Sequence, residues 1–231
     1  KLMTKIIEFL DEGPFKSDPP IPAIKLLPQW YKDMPSYSAE VNHKKRPHKM
    51  SVTTASIKRC VPVLDAISSG YLITTAVDIF VEQIDGKPWY QWPNGNYISF
   101  HGNSQIYLHP LATGYDAAKI NNFWGIKTPP GYSCLFIPPL HRDNLITILP
   151  GIVDTDQYHV PTNFPFVLSN PKFEGIIPQG TPFVQVIPFK RENWTSKTGQ
   201  MKELLANQKN KIVNVFFDAY RNVFWQRKNY K

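Results

Sequence analysis

From Trp124 to Glu192 the chain is cut by proline and glycine into short apolar runs: "WGIKTPPGYSCLFIPPL", "LITILPGIVDT", "FPFVLSN" and "FEGIIPQGTPFVQVIPFKRE". Each run is rich in β-branched and aromatic residues, and turn signals recur about every ten residues, the spacing of strands in a sandwich or barrel. Proline cannot donate to a strand ladder, so it confines regular structure to the stretches between prolines. There are 22 prolines among 231 residues, about twice the usual share of roughly 5%, and they sit at segment ends along the whole chain. No alternation of strands with helices is visible, which argues against a parallel α/β sheet. The expected fold is therefore mainly β, a single barrel or sandwich.

The flanks read differently. Met3 to Leu10 reads as a first strand, and Asp18 to Pro35 as an extended, proline-studded arm with one or two helical turns. "CVPVLDAISSG" reads as a short helix closed by Gly70, "YLITTAVDIFVEQ" as one strand, and "DGKPWYQWPNGNYISFH" as a hairpin with a second turn signal at Asn94 and Gly95. After Asn193, apolar residues such as Leu205, Ile212, Phe216 and Phe224 recur at three and four spacing, which predicts a long amphipathic helix interrupted near Asn207 to Asn210. Three parts follow: a strand with a Pro-rich basic arm over 3–50, a β domain over 51–194, and the helix over 195–231.

A hydrophobic fraction of 42%, aromatics 13%, suits a chain that buries a core. The two cysteines, Cys60 and Cys134, match no disulfide framework or metal spacing, which points to a reducing compartment but leaves a structural pair open. No apolar run reaches about 18 residues and no signal-like leader is seen, so neither a membrane span nor secretion is expected. The net charge of +8 concentrates in Asn42 to Lys49 and in Lys202 to Lys231. These segments are either solvated faces or contacts to nucleic acid.

Read in order, "TPPGYSCLFIPPL", "PGIVDTDQY", "FPFVLSN" and "IIPQGTPFVQVIPF" resemble the motif order of the dUTPase and dCTP-deaminase superfamily over residues 124–192. The resemblance implies a dUTPase-like β fold, often trimeric, with Asp154 facing a sugar or a water, Tyr158 stacking, and Gly180 turning before the strand that carries Gln185. Members that hydrolyse dUTP have an Arg-Ser-Gly-like phosphate turn where this chain has "PPLHRDN", and a Gly-rich C-terminal phosphate lid that is not seen here. Arg142 stands where a phosphate contact is expected. In "IKLLPQWYKDMP" and "WGIKTPP" the chain also resembles an uncharacterised family of bacteriophages and bacteria, which implies a host-cell cytoplasmic protein.

Three functions follow. The first is a phage-type accessory or interaction protein on a dUTPase-like scaffold without dUTPase catalysis, with a protein partner or copies of itself as the expected partner. The second is a nucleotide-binding or nucleotide-hydrolysing enzyme with Asp154 as its catalytic group, Arg142, Asp156, Tyr158 and Gln185 as ligand contacts, and Mg²⁺ as cofactor. The third is a non-haem oxygenase holding Fe²⁺ on His141 and Asp143, with His159, His101 or His109 as the distal ligand. Against each stands a structural alternative. Asp154 and Asp156 also suit a turn in which carboxylates cap backbone N–H groups, and Trp89, Tyr90, Trp92 and Tyr97 suit a core or an interface. The proposals require that the "VDTD" hairpin lie beside the "PPLHR" turn.

Overall fold

The computed structural model of the protein describes residues 4–11, 17–37, 56–93, 95–200, 205–209 and 220–231. The basic stretch from Asn42 to Lys49 lies outside them. The strands are β1 (Glu8–Asp11), β2 (Ile21–Pro22), β3 (Tyr71–Thr74), β4 (Ile79–Ile84), β5 (Lys87–Gln91), β6 (Ile98–His101), β7 (Ala117–Ile120), β8 (Trp124–Lys127), β9 (Tyr132–Ile137), β10 (Ile146–Ile148), β11 (Gly151–Val153), β12 (Phe164–Leu168), β13 (Gly175–Ile177) and β14 (Pro182–Lys190). The short α-helices α1 (Gln29–Asp33) and α2 (Val61–Ser68) lie among the strands.

The strands pair antiparallel in four sheets: β11-β9-β14-β3-β2, β10-β12-β7-β6, β13-β4-β5, and the pair β1-β8. Side chains from all four sheets meet in one core. Phe164 of β12 sits between Phe136 of β9 and Phe183 of β14, at ring separations of 5.5 and 5.8 Å, and so bolts the four-stranded sheet to the five-stranded one. Tyr90 of β5 reaches Phe166 of β12 at 5.5 Å and ties in the three-stranded sheet. Burying one such ring contributes about 2 kcal/mol. The sheets enclose the core as a sandwich, and the closed-barrel alternative is set aside because none of the four closes on itself.

Local chemistry explains where the chain turns. Asp85 and Gly86 have φ of 51° and 73°, the two left-handed residues of a two-residue hairpin between β4 and β5. Gly70, at φ 69°, passes so close to β14 that a Cβ there would lie 1.9 Å from the Val186 carbonyl oxygen. "YLITTAVDIFVEQ" is not one strand. Thr75, 2% exposed, receives the Thr181 N–H on its hydroxyl at 3.0 Å and donates that hydroxyl to the Pro178 carbonyl at 2.7 Å. This clamp bends the chain so that β3 joins the five-stranded sheet and β4 the three-stranded one. Asn94 lies outside the described residues, and β5 and β6 belong to different sheets.

The C-terminal part also departs from the long helix, interrupted near Asn207 to Asn210, expected over 195–231. Among the described residues, helix occupies 205–209 and a π turn occupies Tyr220–Phe224, while 195–200 and 225–231 have no regular structure. The last stretch is held by side-chain anchors: the indole of Trp225 and the ammonium of Lys228 both donate to Asp65, at 2.9 and 2.7 Å.

Candidate functional site

β11 pairs with β9 so that Val153 faces Cys134, and the chain then leaves the sheet through Asp154, Thr155 and Asp156. Thr155 points inward, 2% exposed, with its hydroxyl 2.8 Å from that of Thr128 and 3.4 Å from the Cys134 sulfur. The carbonyl of Asp154 accepts the N–H groups of Gln157 and Tyr158, both at 2.9 Å, which closes the turn.

The two carboxylates are not equivalent. The Asp156 side chain is 2% exposed and that of Asp154 63%. Asp156 accepts the Gly131 N–H at 2.7 Å and a two-pronged ion pair from Arg191, Nη1 to Oδ1 at 2.8 Å and Nη2 to Oδ2 at 2.5 Å. Bonding to the Arg191 guanidinium, with help from the Gly131 N–H, holds its carboxyl well below the usual carboxylate range. Arg191 Nη1 also donates to the Tyr132 carbonyl at 3.0 Å and the Ser133 hydroxyl at 2.9 Å, and the Arg191 N–H donates to the Gly131 carbonyl at 2.8 Å. Ser133 in turn donates to Asp154 Oδ1 at 2.7 Å, an oxygen that lies 3.2 Å from Arg191 Nη1.

Arg191 is the site residue that sequence reasoning misses. It follows β14 directly, and the pairing of Lys190 with Tyr132 brings it to Gly131. Only the strand register reveals this, because nothing in "FKREN" marks the arginine as the partner of a carboxylate 35 positions earlier.

The other expected site residues lie elsewhere. Asp154 bonds Ser133 at the start of β9, whereas "PPLHR" follows the end of β9, so the two loops occupy opposite ends of one strand. Ser133 to Ile137 alone spans about 13 Å at 3.3 Å per residue. The expectation that these loops adjoin is corrected accordingly. Arg142 donates to the Leu26 carbonyl, and its half-buried setting lowers the guanidinium pKa. Trp30 Nε1 donates to the His141 carbonyl at 2.7 Å, so this turn serves to dock the N-terminal arm.

Gln185 is 1% exposed and fully engaged: its amide nitrogen donates to the carbonyls of Ala66 and Ser69 at 2.9 and 2.7 Å, and its oxygen accepts the Leu140 N–H at 3.0 Å. It clamps α2 and the 138–142 turn to β14 and has no donor left for a ligand. Tyr158 is half exposed and turns to solvent.

The donors present offer little to either expected metal. Both Asp156 oxygens are taken by Arg191 and Gly131 and one Asp154 oxygen by Ser133, which leaves one free carboxylate oxygen, on Asp154, for Mg²⁺ beside a substrate's phosphates. Among the described residues no three His, Cys, Asp or Glu side chains gather, so His141 and Asp143 lack the third ligand that Fe²⁺ needs there. The two cysteines are both free, Cys60 exposed and Cys134 buried. Two sizeable cavities, of about 480 and 630 Å³, lie beside the C-terminal stretch, and neither is lined by Asp154, Asp156 or Arg142. Among the described residues, no helix is long and apolar enough to cross a membrane.

No protein-family model matches the chain, and no curated protein matches it in sequence. Among solved structures, it is similar to a mutant dUTPase from phage phi11 of S. aureus, described for the coordination of a structural Mg(II) ion, at 13% identity over 86% of this chain and 97% of that one, TM-score 0.35. It is also similar to a mutant dUTPase of Staphylococcus bacteriophage 80alpha, described as controlling transfer of virulence genes, at 12% identity over 87% and 98%, TM-score 0.37. Another mutant of that dUTPase, with dUpNHpp, aligns at 12% identity over 87% and 90%, TM-score 0.34. At TM-scores this low the likeness carries no argument about the site, which rests on this chain's own residues.

Proposed function

We propose that the protein is a phage-type accessory protein that acts by binding a partner through its β-sandwich, without hydrolysing nucleotides. The observation that carries this reading is the ion pair of Asp156 with Arg191, which turns the acidic pair into a fastener between the end of β14 and the turn after β11. The remaining carboxylate, Asp154, stands on an exposed turn, with Arg142 at the far end of β9. A hydrolytic site needs its nucleophile-positioning and phosphate-holding groups within reach of one substrate.

A binding role is supported by the outer face of the three-stranded sheet. Phe80, Ile84, Trp89 and Ile176 stand exposed there, aligned by the pairings Ile176 to Phe80, Glu82 to Trp89 and Ile84 to Lys87. Four exposed apolar side chains set among Glu82, Lys87 and Gln91 on one sheet face suit contact with a protein partner or a second copy. The phage source rests on the sequence resemblance.

Pyrophosphate release from dUTP and dCTP with Mg²⁺, alongside thermal shift, tests the reading. The expected result is no release above the blank and no difference between the parent and Asp154→Asn. Release that Asp154→Asn abolishes while the melting temperature holds would replace this reading with the nucleotide-hydrolase one.

A further inference from the structure

The stretch after Trp225 lies against β3 and α2 through a few anchors. Beyond the two bonds to Asp65, the Tyr71 hydroxyl donates to the Lys231 carbonyl at 3.3 Å and the Tyr230 ring meets Tyr71 edge to face at 6.0 Å. The surface is hollow on both sides of it. A cavity of about 480 Å³ opens toward α2, and one of about 630 Å³ opens toward Thr4 to Ile7 and the turn before β9. Arg227, Lys228 and Lys231 line both.

The larger cavity is chemically one-sided. Its wall carries Lys5, Arg227, Lys228 and Lys231 and no carboxylate side chain. Lys228 is paired with Asp65, whereas Lys5, Arg227 and Lys231 have no acidic partner among the described residues. Cations gathered on a concave wall concentrate anions there. The same wall includes Tyr132 and Tyr230, both half-buried.

A small inorganic anion has no use for the rings, and an acidic peptide has little. Cations that track a backbone beside aromatic faces that stack bases are the two components of single-strand recognition. The chain's charge of +8 and pI near 9.3 agree with a nucleic-acid partner. A duplex keeps its bases stacked inside and offers none to a tyrosine in a cavity of this size.

We infer that this cavity binds one or two nucleotide units of a single-stranded nucleic acid, with phosphates on Lys5, Arg227 and Lys231 and a base against Tyr132 or Tyr230. The site meets the Asp156 fastener only at Tyr132, whose backbone carbonyl accepts from Arg191 while its ring is assigned to the base, so it is tested separately from the absence of hydrolysis.

Fluorescence anisotropy with a labelled oligothymidylate of about ten nucleotides, titrated at several salt concentrations, is the test. Expected are saturable binding and a salt slope equivalent to two or three phosphates at about 0.7 each. Arg227→Glu and Lys5→Glu each weaken binding about tenfold, Tyr132→Ala weakens it with the salt slope unchanged, and Lys87→Glu, at the distant β4-β5 hairpin, binds like the parent. The inference is overturned if binding does not saturate, or if the two reversals weaken it no more than Lys87→Glu. It is equally overturned if polyglutamate of matched charge, or thymidine 5′-phosphate at matched concentration, displaces the strand.

Discussion

Arg191 and Asp156 meet prong to prong, two nitrogens on two oxygens at 2.8 and 2.5 Å, and the pair ties the end of β14 to the turn after β11 across the strand β9 that lies between them. The carboxylate's other contact, the Gly131 N–H, belongs to the turn that opens β9, so three consecutive strands of one sheet are fastened at one end by a single side chain.

That fastening has a pH signature. The folded Asp156 carboxyl is depressed below the unfolded value of about 3.9. Its contribution is therefore complete above that value and is lost as pH falls through the lower folded one. Melting temperatures between about pH 2 and 7 should fall more steeply on acidification below about pH 4 in the parent than in Asp156→Asn, with the variant the less stable of the two at neutral pH. Parallel acid slopes would show that the ion pair contributes nothing to folding.

A polar residue inside an apolar strand invites reading as a ligand contact, and Gln185 is such a residue. Its partners in α2 and the 138–142 turn, up to 119 positions away, instead make it a buried clamp. Gln185→Leu strands the Leu140 N–H and two carbonyls, which predicts a loss of about 3 kcal/mol in the urea-unfolding free energy. A loss near that of an exposed substitution would mean that these groups find water instead.

How much is legible in the sequence follows from the range of the interactions. Strands such as β9, β12 and β14 are written in their β-branched and aromatic runs and in the prolines and glycines between them, and α2 is written in "VPVLDAIS" with its closing Gly70. The break between β3 and β4 is not, because it depends on the Thr75 hydroxyl meeting residues 178 and 181. The acidic pair is legible as a turn with capping carboxylates, but its arginine is not. The apolar spacing up to Phe224 predicts a helix continuing to the last residues, yet anchoring to Asp65 and Tyr71 holds 225–231 outside regular structure, since tertiary contacts outweigh a propensity of a few tenths of a kcal/mol per residue.

Two glycines with left-handed backbones separate strain from collision. Gly180, at φ 80°, has nothing within 4 Å of the place a Cβ would occupy, whereas at Gly70 that atom would enter the Val186 backbone. Gly180→Ala should cost about 1 kcal/mol from the conformation alone, and Gly70→Ala about 3 kcal/mol or more. Denaturant midpoints check the order, and equal shifts would place the close approach of Gly70 to β14 in doubt.

The two thiols should behave as opposites. Cys134 sits in β9 with no exposed surface, and burial pushes its thiol up to about 11 even though the Thr155 hydroxyl hydrogen-bonds the sulfur. Little thiolate forms there near neutral pH, and a thiol reacts with alkylating agents through its thiolate. Cys60 stands exposed just before α2. Iodoacetamide at about pH 8 should therefore label Cys60 within the folded protein and reach Cys134 only when denaturant is added. Labelling mapped by peptide mass checks this. Comparable native rates at both positions would mean that β9 opens to solvent far more readily than a strand paired on both sides by β11 and β14 should.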